Sequence, residues 1–234
     1  MIMKILILGA LSEEISSFLK DLSKKRESEW NGFRIYEGKL SGIDTVICQT
    51  KEGKVFSAMI TQHLLDSYKF DFVLFTGVAG SLKKDLHAGD VLISTELFQH
   101  DVDVTALGWK FNHIPSAESI FFKADERLIK IAKTIEIDER KIVTGRIATG
   151  DQFIDHTHRV KKENMYNASC ADMESAAVAQ VCWTNSIPFL VIRIISDNAD
   201  DGACSDFRKN LPLFAHNSHE VIMHILNNCK EVLE

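Results

Sequence analysis

The sequence contains few of the residues that interrupt regular secondary structure. Of its 234 residues only 3 are proline and 12 are glycine, and neither a low-complexity segment nor an internal repeat occurs. Domain boundaries usually fall in linkers rich in Pro, Gly or polar residues, and no such linker is present. With 45% hydrophobic residues the chain is long enough to bury a large core. We therefore expect one domain over residues 1–234.

Sequence patterns for metal and cofactor sites are also missing. The five cysteines are scattered and form neither a CxxC pair nor a Cys/His spacing typical of zinc. None of the nine histidines lies in an HExxH motif, and the glycine-rich phosphate-binding patterns are absent. We expect no metal and no cofactor. Since disulfides are rare in reducing compartments, we interpret the cysteines as reduced thiols of a cytoplasmic protein.

Charge and hydrophobic run length exclude two further classes of partner. The net charge is −6, and the basic residues form no long run, whereas nucleic acids and anionic membranes require a clustered basic face. No stretch approaches the roughly 20 apolar residues that cross a bilayer. The apolar residues 5–11 run directly into Ser12-Glu13-Glu14 and predict a first buried strand rather than a signal peptide. Small molecules are the expected partners.

Strand-like and helical patterns alternate along the chain. We predict strands at about 4–9, 33–40, 43–49, 71–77, 90–97, 142–149 and 189–195, and helices at about 12–24, 53–67, 124–136, 156–165, 173–184 and 213–231. Residues 33–48 contain a Ser-Gly turn and predict an antiparallel hairpin. Because Pro212 disfavours a helix interior, we expect residues 204–213 to be kinked or to form a loop. The pattern indicates an α/β fold with a mixed, mainly parallel sheet.

The apolar run 189–195 ends abruptly in Ser196-Asp197. Ligands of open α/β sheets collect at the carboxyl ends of such strands, so Asp197 is a candidate functional residue, although Asp also caps turns for purely structural reasons. Arg193 is a charge inside this run, and it must meet a carboxylate because an unpaired buried guanidinium is costly. Glu14 and Glu174 are the candidate partners, in a functional site or in a structural ion pair.

Three other segments follow predicted strands. Glu13 and Glu14 are adjacent at the start of a helix, so one should face solvent and the other the sheet. Residues 77–80 form a turn of small residues that allows close approach of a ligand or is simply tight. Phe153 lies on the loop after the 142–149 strand, where it either offers a stacking surface for a planar ring or fills the core.

Seven segments resemble, in order and at similar spacing, motifs of the bacterial 5′-methylthioadenosine/S-adenosylhomocysteine nucleosidases. They are GALSEE (9–14), GKV (53–55), TGVAG (76–80), HDVDVTA (100–106), TGDQFI (149–154), DME (172–174) and RIISD (193–197). The resemblance spans nearly the whole chain. It implies the three-layer α/β/α sandwich of the nucleoside phosphorylases and nucleosidases, and hydrolysis of the N-glycosidic bond of adenine thio-nucleosides.

The resemblance also implies roles for individual residues. Asp197 would protonate adenine N7, steadied by Ser196, while Glu14 would activate the attacking water with help from Arg193 in placing it. Acid and base on opposite sides of a sugar, with room for water between them, are the arrangement of inverting glycosidases. Asp197 would then need surroundings that favour its neutral form.

The substrate pocket follows from the same resemblance. Its implied members are Glu174 on the ribose hydroxyls beside Met173, Phe153 stacked on adenine, the Ile154 backbone on the Watson–Crick edge, Val78, Ala79 and Gly80 lining the sugar and base, and Phe207 covering the site. Val104, Leu107 and Pro115 match positions that reach a neighbouring subunit's pocket for the 5′ substituent, which implies a homodimer.

Three positions depart from the family pattern, and several alternatives stay open. Val78 replaces a frequent Ser, Asp172 a usual Glu, and Leu107 an aromatic residue. A phosphorylase is disfavoured because a phosphate dianion would be repelled by Glu14. AMP is disfavoured because Val104, Leu107 and Pro115 are apolar. Aminodeoxyfutalosine or another adenine nucleoside remains an alternative substrate, as does a non-catalytic adenine-nucleoside-binding protein.

Overall fold

A computed structural model describes residues 3–138, 140–154, 165–197 and 203–229, with the side chains of 197 and 203–213 outside the described part. The elements in chain order are β1 (Lys4–Gly9), α1 (Ser12–Asp21), β2 (Ser23–Trp30), β3 (Phe33–Leu40), β4 (Ile43–Gln49), α2 (Lys54–Ser67), β5 (Phe72–Ser81), β6 (Val91–Gln99), the 3₁₀ turn η1 (Thr105–Leu107), β7 (Phe122–Lys123), α3 (Glu126–Ala132), β8 (Ile142–Thr149), β9 (Cys170–Asp172), α4 (Ser175–Thr184), β10 (Phe189–Asp197) and α5 (Ala203–Asn228).

The strands form one mixed sheet that is partly closed on itself. Strands β5, β10, β6, β8 and β9 pair in a ring, because β9 returns to pair with β5. An open sheet of β1, β4, β3 and β2 extends from β5. The two longest pairings, β5 with β10 and β6 with β8, are parallel. The mixed sheet expected from the sequence is confirmed.

Strand β5 is the point at which the sheet divides. Its first half pairs with β1 as far as Thr76 opposite Gly9, and its end pairs with β9 from Gly80 onward. Strand β10 runs along the opposite edge of β5 throughout. Between Thr76 and Gly80 this edge of β5 therefore pairs with neither β1 nor β9, and the gap between these two strands leaves space beside residues 77–79.

Helices cover the sheet in two groups. Helices α1 and α3 both contact α5, and α2 packs against α4. Residues Ile5–Leu8 of β1 are fully buried, as expected of a strand covered on both faces, whose sequence is a continuous apolar run. The three-layer α/β/α architecture is confirmed. No helix in the described ranges combines the length and apolarity needed to span a membrane.

Several local predictions can be compared with the structure. The predicted hairpin is present, with β3 antiparallel to β4 and positive φ angles of 47° at Ser41 and 77° at Gly42, as a tight two-residue turn requires. Strand β2 was not predicted, since a helix to residue 24 was expected. Residues 204–213 were expected to be kinked or to form a loop, and the loop is wrong, because α5 is helical through Pro212. The helix predicted at 156–165 lies almost entirely outside the described residues.

Candidate active site

A cavity of about 260 Å³ opens where β1 and β9 separate beside β5. Its lining comes from the carboxyl ends of several strands and from the loops that follow them. The lining residues are Ala10, Leu11, Glu14, Glu52, Val78, Ala79, Gly80, Gln152, Phe153, Ile154, Ala171, Asp172, Met173, Glu174 and Ser196. Nine of the fifteen predicted site residues thus meet at one cavity. Ala10, Leu11 and Gln152 lie inside the quoted motifs, and Glu52 and Ala171 directly precede two of them, but no role was predicted for these five residues.

Glu14 lies in the first turn of α1 and points back toward β1. It is 3% exposed, whereas Glu13 faces solvent, so the predicted division between the two acids is confirmed. Its carboxylate accepts the N–H of Ala10 at 2.7 Å and of Leu11 at 3.0 Å through Oε2, and the N–H of Val78 at 3.1 Å through Oε1. Burial raises the pKa of Glu14, although Arg193 and these N–H groups act to lower it.

The absence of a side chain at Gly77 makes this arrangement possible. Its φ is 156°, and a Cβ built there would overlap Arg193 Nη1 and lie 2.6 Å from Glu14 Oε1. Gly77 lies within β5, where a turn was expected at 77–80, and in the section that pairs with β10 but with neither β1 nor β9. There the backbone must approach two charged side chains. A glycine here is needed for close approach as much as for backbone conformation.

Arg193 is fully buried behind the carboxylates and does not itself line the cavity. Its Nε donates to Asp172 Oδ2 at 2.7 Å and to Ser175 Oγ at 3.1 Å. Its Nη2 lies 3.7 Å from Glu174 Oε2, and its Cζ lies 4.4 Å above the centre of the Phe75 ring. Burial acts to lower the pKa of Arg193, but the surrounding carboxylates outweigh it and raise the pKa.

The direct partner of Arg193 is Asp172, which the sequence reasoning did not name as such. Asp172 Oδ1 also accepts Thr149 Oγ1 at 2.6 Å and the backbone N–H of Ser175 at 3.2 Å, and Asp172 bonds the Ser175 hydroxyl. Asp172 ends β9 and thereby joins β8, β10 and the start of α4. The signal for it was its position two residues before Glu174, but only the tertiary fold brings it to Arg193.

Glu174 faces the cavity from the residue before α4. Its Oε1 accepts the N–H of Gly53 at 3.0 Å, and its side chain is almost completely buried. Burial raises the pKa of Glu174 to about 8, with Asp172 adding to the effect and Arg193 opposing it. The cavity therefore holds two carboxyl groups, on Glu14 and Glu174, whose proton affinity is raised by desolvation.

The remaining walls of the cavity are mostly apolar. Phe153 is 43% exposed on the loop after β8, so it is not a core residue. Ile154, Met173 and the segment 78–80 complete these walls. Ser196 is buried, and its Oγ donates to the Ala79 carbonyl at 3.3 Å. A flat ring can stack on Phe153 while backbone groups read its edge.

The other predicted site residues stand apart from the cavity or outside the described side chains. The backbone of Asp197 ends β10 opposite Gly80, but its side chain and that of Phe207 are outside the described part. Val104, Leu107 and Pro115 lie around η1 and do not line the cavity, and Leu107 is 76% exposed. Within the described ranges no group of three or more His, Cys, Asp or Glu side chains is arranged to hold a metal.

Comparisons with known proteins agree in sequence and fold. The model of the phosphorylase superfamily matches residues 4–227. The 5′-methylthioadenosine/S-adenosylhomocysteine nucleosidase of Geobacillus sp. (strain WCH70) is 36% identical over 233 residues, covering 98% of this chain and 100% of the relative. The nucleosidase of that name from Colwellia psychrerythraea 34H, in complex with adenine, has a TM-score of 0.90 and 34% identity, covering 97% of this chain and 96% of that chain. The native futalosine hydrolase of Helicobacter pylori strain 26695 has a TM-score of 0.88 and 34% identity, covering 97% and 98%.

Proposed function

The chain belongs to the phosphorylase superfamily, and we propose that it hydrolyses the N-glycosidic bond of 5′-methylthioadenosine and S-adenosylhomocysteine, releasing adenine and the thio-ribose. The observation that carries this proposal is the pair of buried carboxyl groups, Glu14 and Glu174, that face one cavity beside the exposed ring of Phe153. The curated relatives at 36% and 38% identity carry the name of this activity.

Glu14 is the general base of the proposed reaction. Burial raises the pKa of Glu14, which makes its carboxylate a stronger base toward water than that of an ordinary glutamate. The N–H groups of Ala10, Leu11 and Val78 hold the carboxylate in one orientation. Arg193 helps to place the water, and its positive charge favours the ionised form of Glu14.

Glu174 binds the ribose hydroxyls beside Met173. Cleavage of the glycosidic bond develops positive charge on the sugar, and a carboxylate within the same desolvated cavity stabilises that charge. Because burial raises the pKa of Glu174 to about 8, a growing positive charge next to it favours its ionised form. Glu174 thereby stabilises the transition state more than the bound substrate.

Asp197 is the general acid that delivers a proton to adenine N7, with Ser196 beside it at the end of β10. Phe153 stacks on the base, the Ile154 backbone reads its Watson–Crick edge, and Phe207 covers the site. The segment 78–80 lines the sugar and the base. Acid and base then stand on opposite sides of the sugar, as hydrolysis with inversion requires.

Water rather than phosphate is the proposed nucleophile. The segment that follows β1 presents Glu14 to the cavity. A phosphate dianion in the position of the attacking water would be repelled by the Glu14 carboxylate. Aminodeoxyfutalosine is the second candidate substrate, because the futalosine hydrolase of Helicobacter pylori is 34% identical with a TM-score of 0.88. The number and names of curated nucleosidase relatives favour the thio-nucleosides.

The active form is proposed to be a cytoplasmic homodimer with a role in methionine salvage. Apolar side chains are exposed on α2 and near η1: Val55 and Leu107 are each 76% exposed, and Trp109 is 42% exposed. Exposed apolar surface of this kind typically marks a protein interface. Val104, Leu107 and Pro115 would reach across it to line the partner's pocket for the 5′ substituent. Light scattering coupled to gel filtration tests this state, and a monomer at micromolar concentration would contradict it.

Release of free adenine tests the activity itself. Purified protein is incubated with methylthioadenosine, S-adenosylhomocysteine, aminodeoxyfutalosine and adenosine, each with and without phosphate. We expect adenine release from the two thio-nucleosides that does not depend on phosphate. Adenine binding without turnover would instead favour the non-catalytic alternative, and a strict phosphate requirement would identify a phosphorylase.

A further inference from the structure

Lys54, the first residue of α2, forms a closed network of polar contacts at one end of the cavity. Its Nζ donates to Asp101 Oδ1 at 2.6 Å, to Asp101 Oδ2 at 2.8 Å and to Gln99 Oε1 at 3.0 Å. The side chains of Lys54 and Asp101 are only 18% and 17% exposed. All three donors of the ammonium group are therefore directed to β6 and the turn after it.

The same two residues also hold the loop that follows β8. The Lys54 backbone N–H donates to Asp151 Oδ1 at 2.9 Å, and the Asp151 N–H donates to Asp101 Oδ2 at 3.0 Å. Asp151 is thus fixed through both its backbone and its side chain. Only one residue separates it from Phe153 in the cavity wall.

The residue before Lys54 connects this network to Glu174, which lines the cavity. Gly53 precedes Lys54, and its N–H donates to Glu174 Oε1 at 3.0 Å. The backbone at 53 and 54 therefore bonds Glu174 with one N–H and the loop of Phe153 with the next. The base wall and the proposed ribose-binding carboxylate are positioned by one short piece of chain.

We propose that the Lys54–Asp101 ion pair is a positioning device that sets the base-stacking loop and Glu174 relative to each other. The inference rests on the proposed function and adds residues to which that function assigns no role. Neither side chain lines the cavity, so both act through Asp151 and Gly53. Partly buried pairs of this kind are held by charge-assisted hydrogen bonds, which are shorter and stronger than neutral ones.

The test compares Lys54→Met, Asp101→Asn and the double variant with wild type. The measurements are kcat/KM for methylthioadenosine across pH, Kd for adenine by calorimetry, and Tm. Displacement of substrate-positioning groups by about 1 Å can cost about 100-fold in rate, so we expect each single variant to lose about 10- to 100-fold in kcat/KM. The kcat/KM of the double variant should lie within about twofold of that of the less active single variant, because the same Lys54–Asp101 pair is broken in all three variants.

The pH profile separates positioning from a purely structural effect. The Gly53 N–H lowers the pKa of Glu174, so its displacement should move the rise of kcat/KM to higher pH. If a substitution only lowered Tm, the pH dependence of kcat/KM of the protein that remains folded would be unchanged. Lys51→Met is the matched control, since Lys51 packs over Phe33 and lies outside the network. Lys54→Arg, which keeps the charge, should recover part of the lost activity.

Each outcome decides the inference. Loss of kcat/KM without additivity, weaker adenine binding and a shifted profile support it. Asp101→Asn with wild-type kcat/KM and an unshifted profile would overturn it, even if Lys54→Met does not fold. An active wild type with unaffected variants refutes the positioning role alone. A wild type that neither releases nor binds adenine refutes the proposed function, and the positioning role with it.

Discussion

Replacing Arg193 by Met should destabilise the protein in a way that depends on pH. The guanidinium is fully buried between Asp172, at 2.7 Å, and Glu174, at 3.7 Å, and it lowers the pKa of Glu14. Methionine fills similar volume without charge, so the main loss is electrostatic. Removing one partner of a buried ion pair typically costs about 3–5 kcal/mol, because the other charge is left uncompensated. We expect a loss of that size near pH 8.

The sign of the pH dependence follows from the carboxyl groups that remain. Arg193 lowers the pKa values of Glu14 and Glu174, so both rise further in the variant. A raised folded-state pKa gives stability that is present below the unfolded value and is lost as pH rises. The difference between variant and wild type should therefore be smaller near pH 5 than near pH 8, by at least about 1 kcal/mol.

Urea unfolding at both pH values, followed by circular dichroism, measures these differences. The matched control is Arg127→Met, which breaks an ion pair with Asp125 at 2.9 Å on a side chain that is 48% exposed. Surface pairs contribute at most about 1 kcal/mol, with little change between the two pH values. An Arg193→Met protein within about 1 kcal/mol of wild type at pH 8, or equally destabilised at both pH values, would refute this account of the buried charges.

Three further predictions concern single groups of the cavity. Gly77→Ala should reduce kcat/KM at least about 100-fold, since a Cβ there would lie 2.6 Å from Glu14 Oε1. Steady-state kinetics measure this loss, and a near-wild-type kcat/KM would contradict this geometry. Glu174→Gln should gain stability relative to wild type as pH rises from 5 to 9, by at most about 1.4 kcal/mol per pH unit, because burial raises the pKa of Glu174 to about 8. Urea unfolding measures this gain, with Glu13→Gln at an exposed position as the control. A difference in stability that does not change with pH would refute the prediction. The pKa of Glu14 is raised, so kcat/KM should fall with acidification at a higher pH than an ordinary carboxylate would give, and a profile that is flat to pH 5 would exclude Glu14 as the base.

The parts of the fold that were predictable have strong local signals. Strand β1 is a continuous apolar run, and the Ser41-Gly42 turn fixes the hairpin of β3 and β4. Strand β2 has no such signal, because its sequence SKKRESEW is exposed along nearly its whole length and is held mainly by backbone pairing with β3. Strand β9 has only three residues, which is too short for any periodicity.

The helix through Pro212 shows how tertiary packing overrides a local preference. Proline removes one helical hydrogen bond, yet α5 continues across it from Ala203 to Asn228. The part of this helix after Pro212 buries Phe214, Val221 and Ile225, and that apolar face accounts for the stability of its C-terminal part. A rule based on one residue could not include this contribution.

The candidate site was predictable as a set of residues but not as a network. The sequence analysis linked Glu14, Glu174 and Arg193, because Arg193 lies inside a buried apolar run and needs a carboxylate partner. The pairing of Arg193 with Asp172 depends on the return of β9 to β5, which no local pattern encodes. The link from Lys54 to Asp101 and Asp151 joins segments about 50 and 100 residues apart along the chain and likewise needs the tertiary structure.

The most direct test of the central claim is adenine release from methylthioadenosine in phosphate-free buffer by wild type, Glu14→Gln and Asp197→Asn. Each substitution removes one of the two proton-transfer groups while nearly preserving side-chain shape. The account predicts turnover by wild type and loss of at least about 100-fold in either variant. Undiminished turnover in Asp197→Asn or in Glu14→Gln would contradict the assignment of Asp197 as the acid at adenine and of Glu14 as the carboxylate that activates water beneath the sugar.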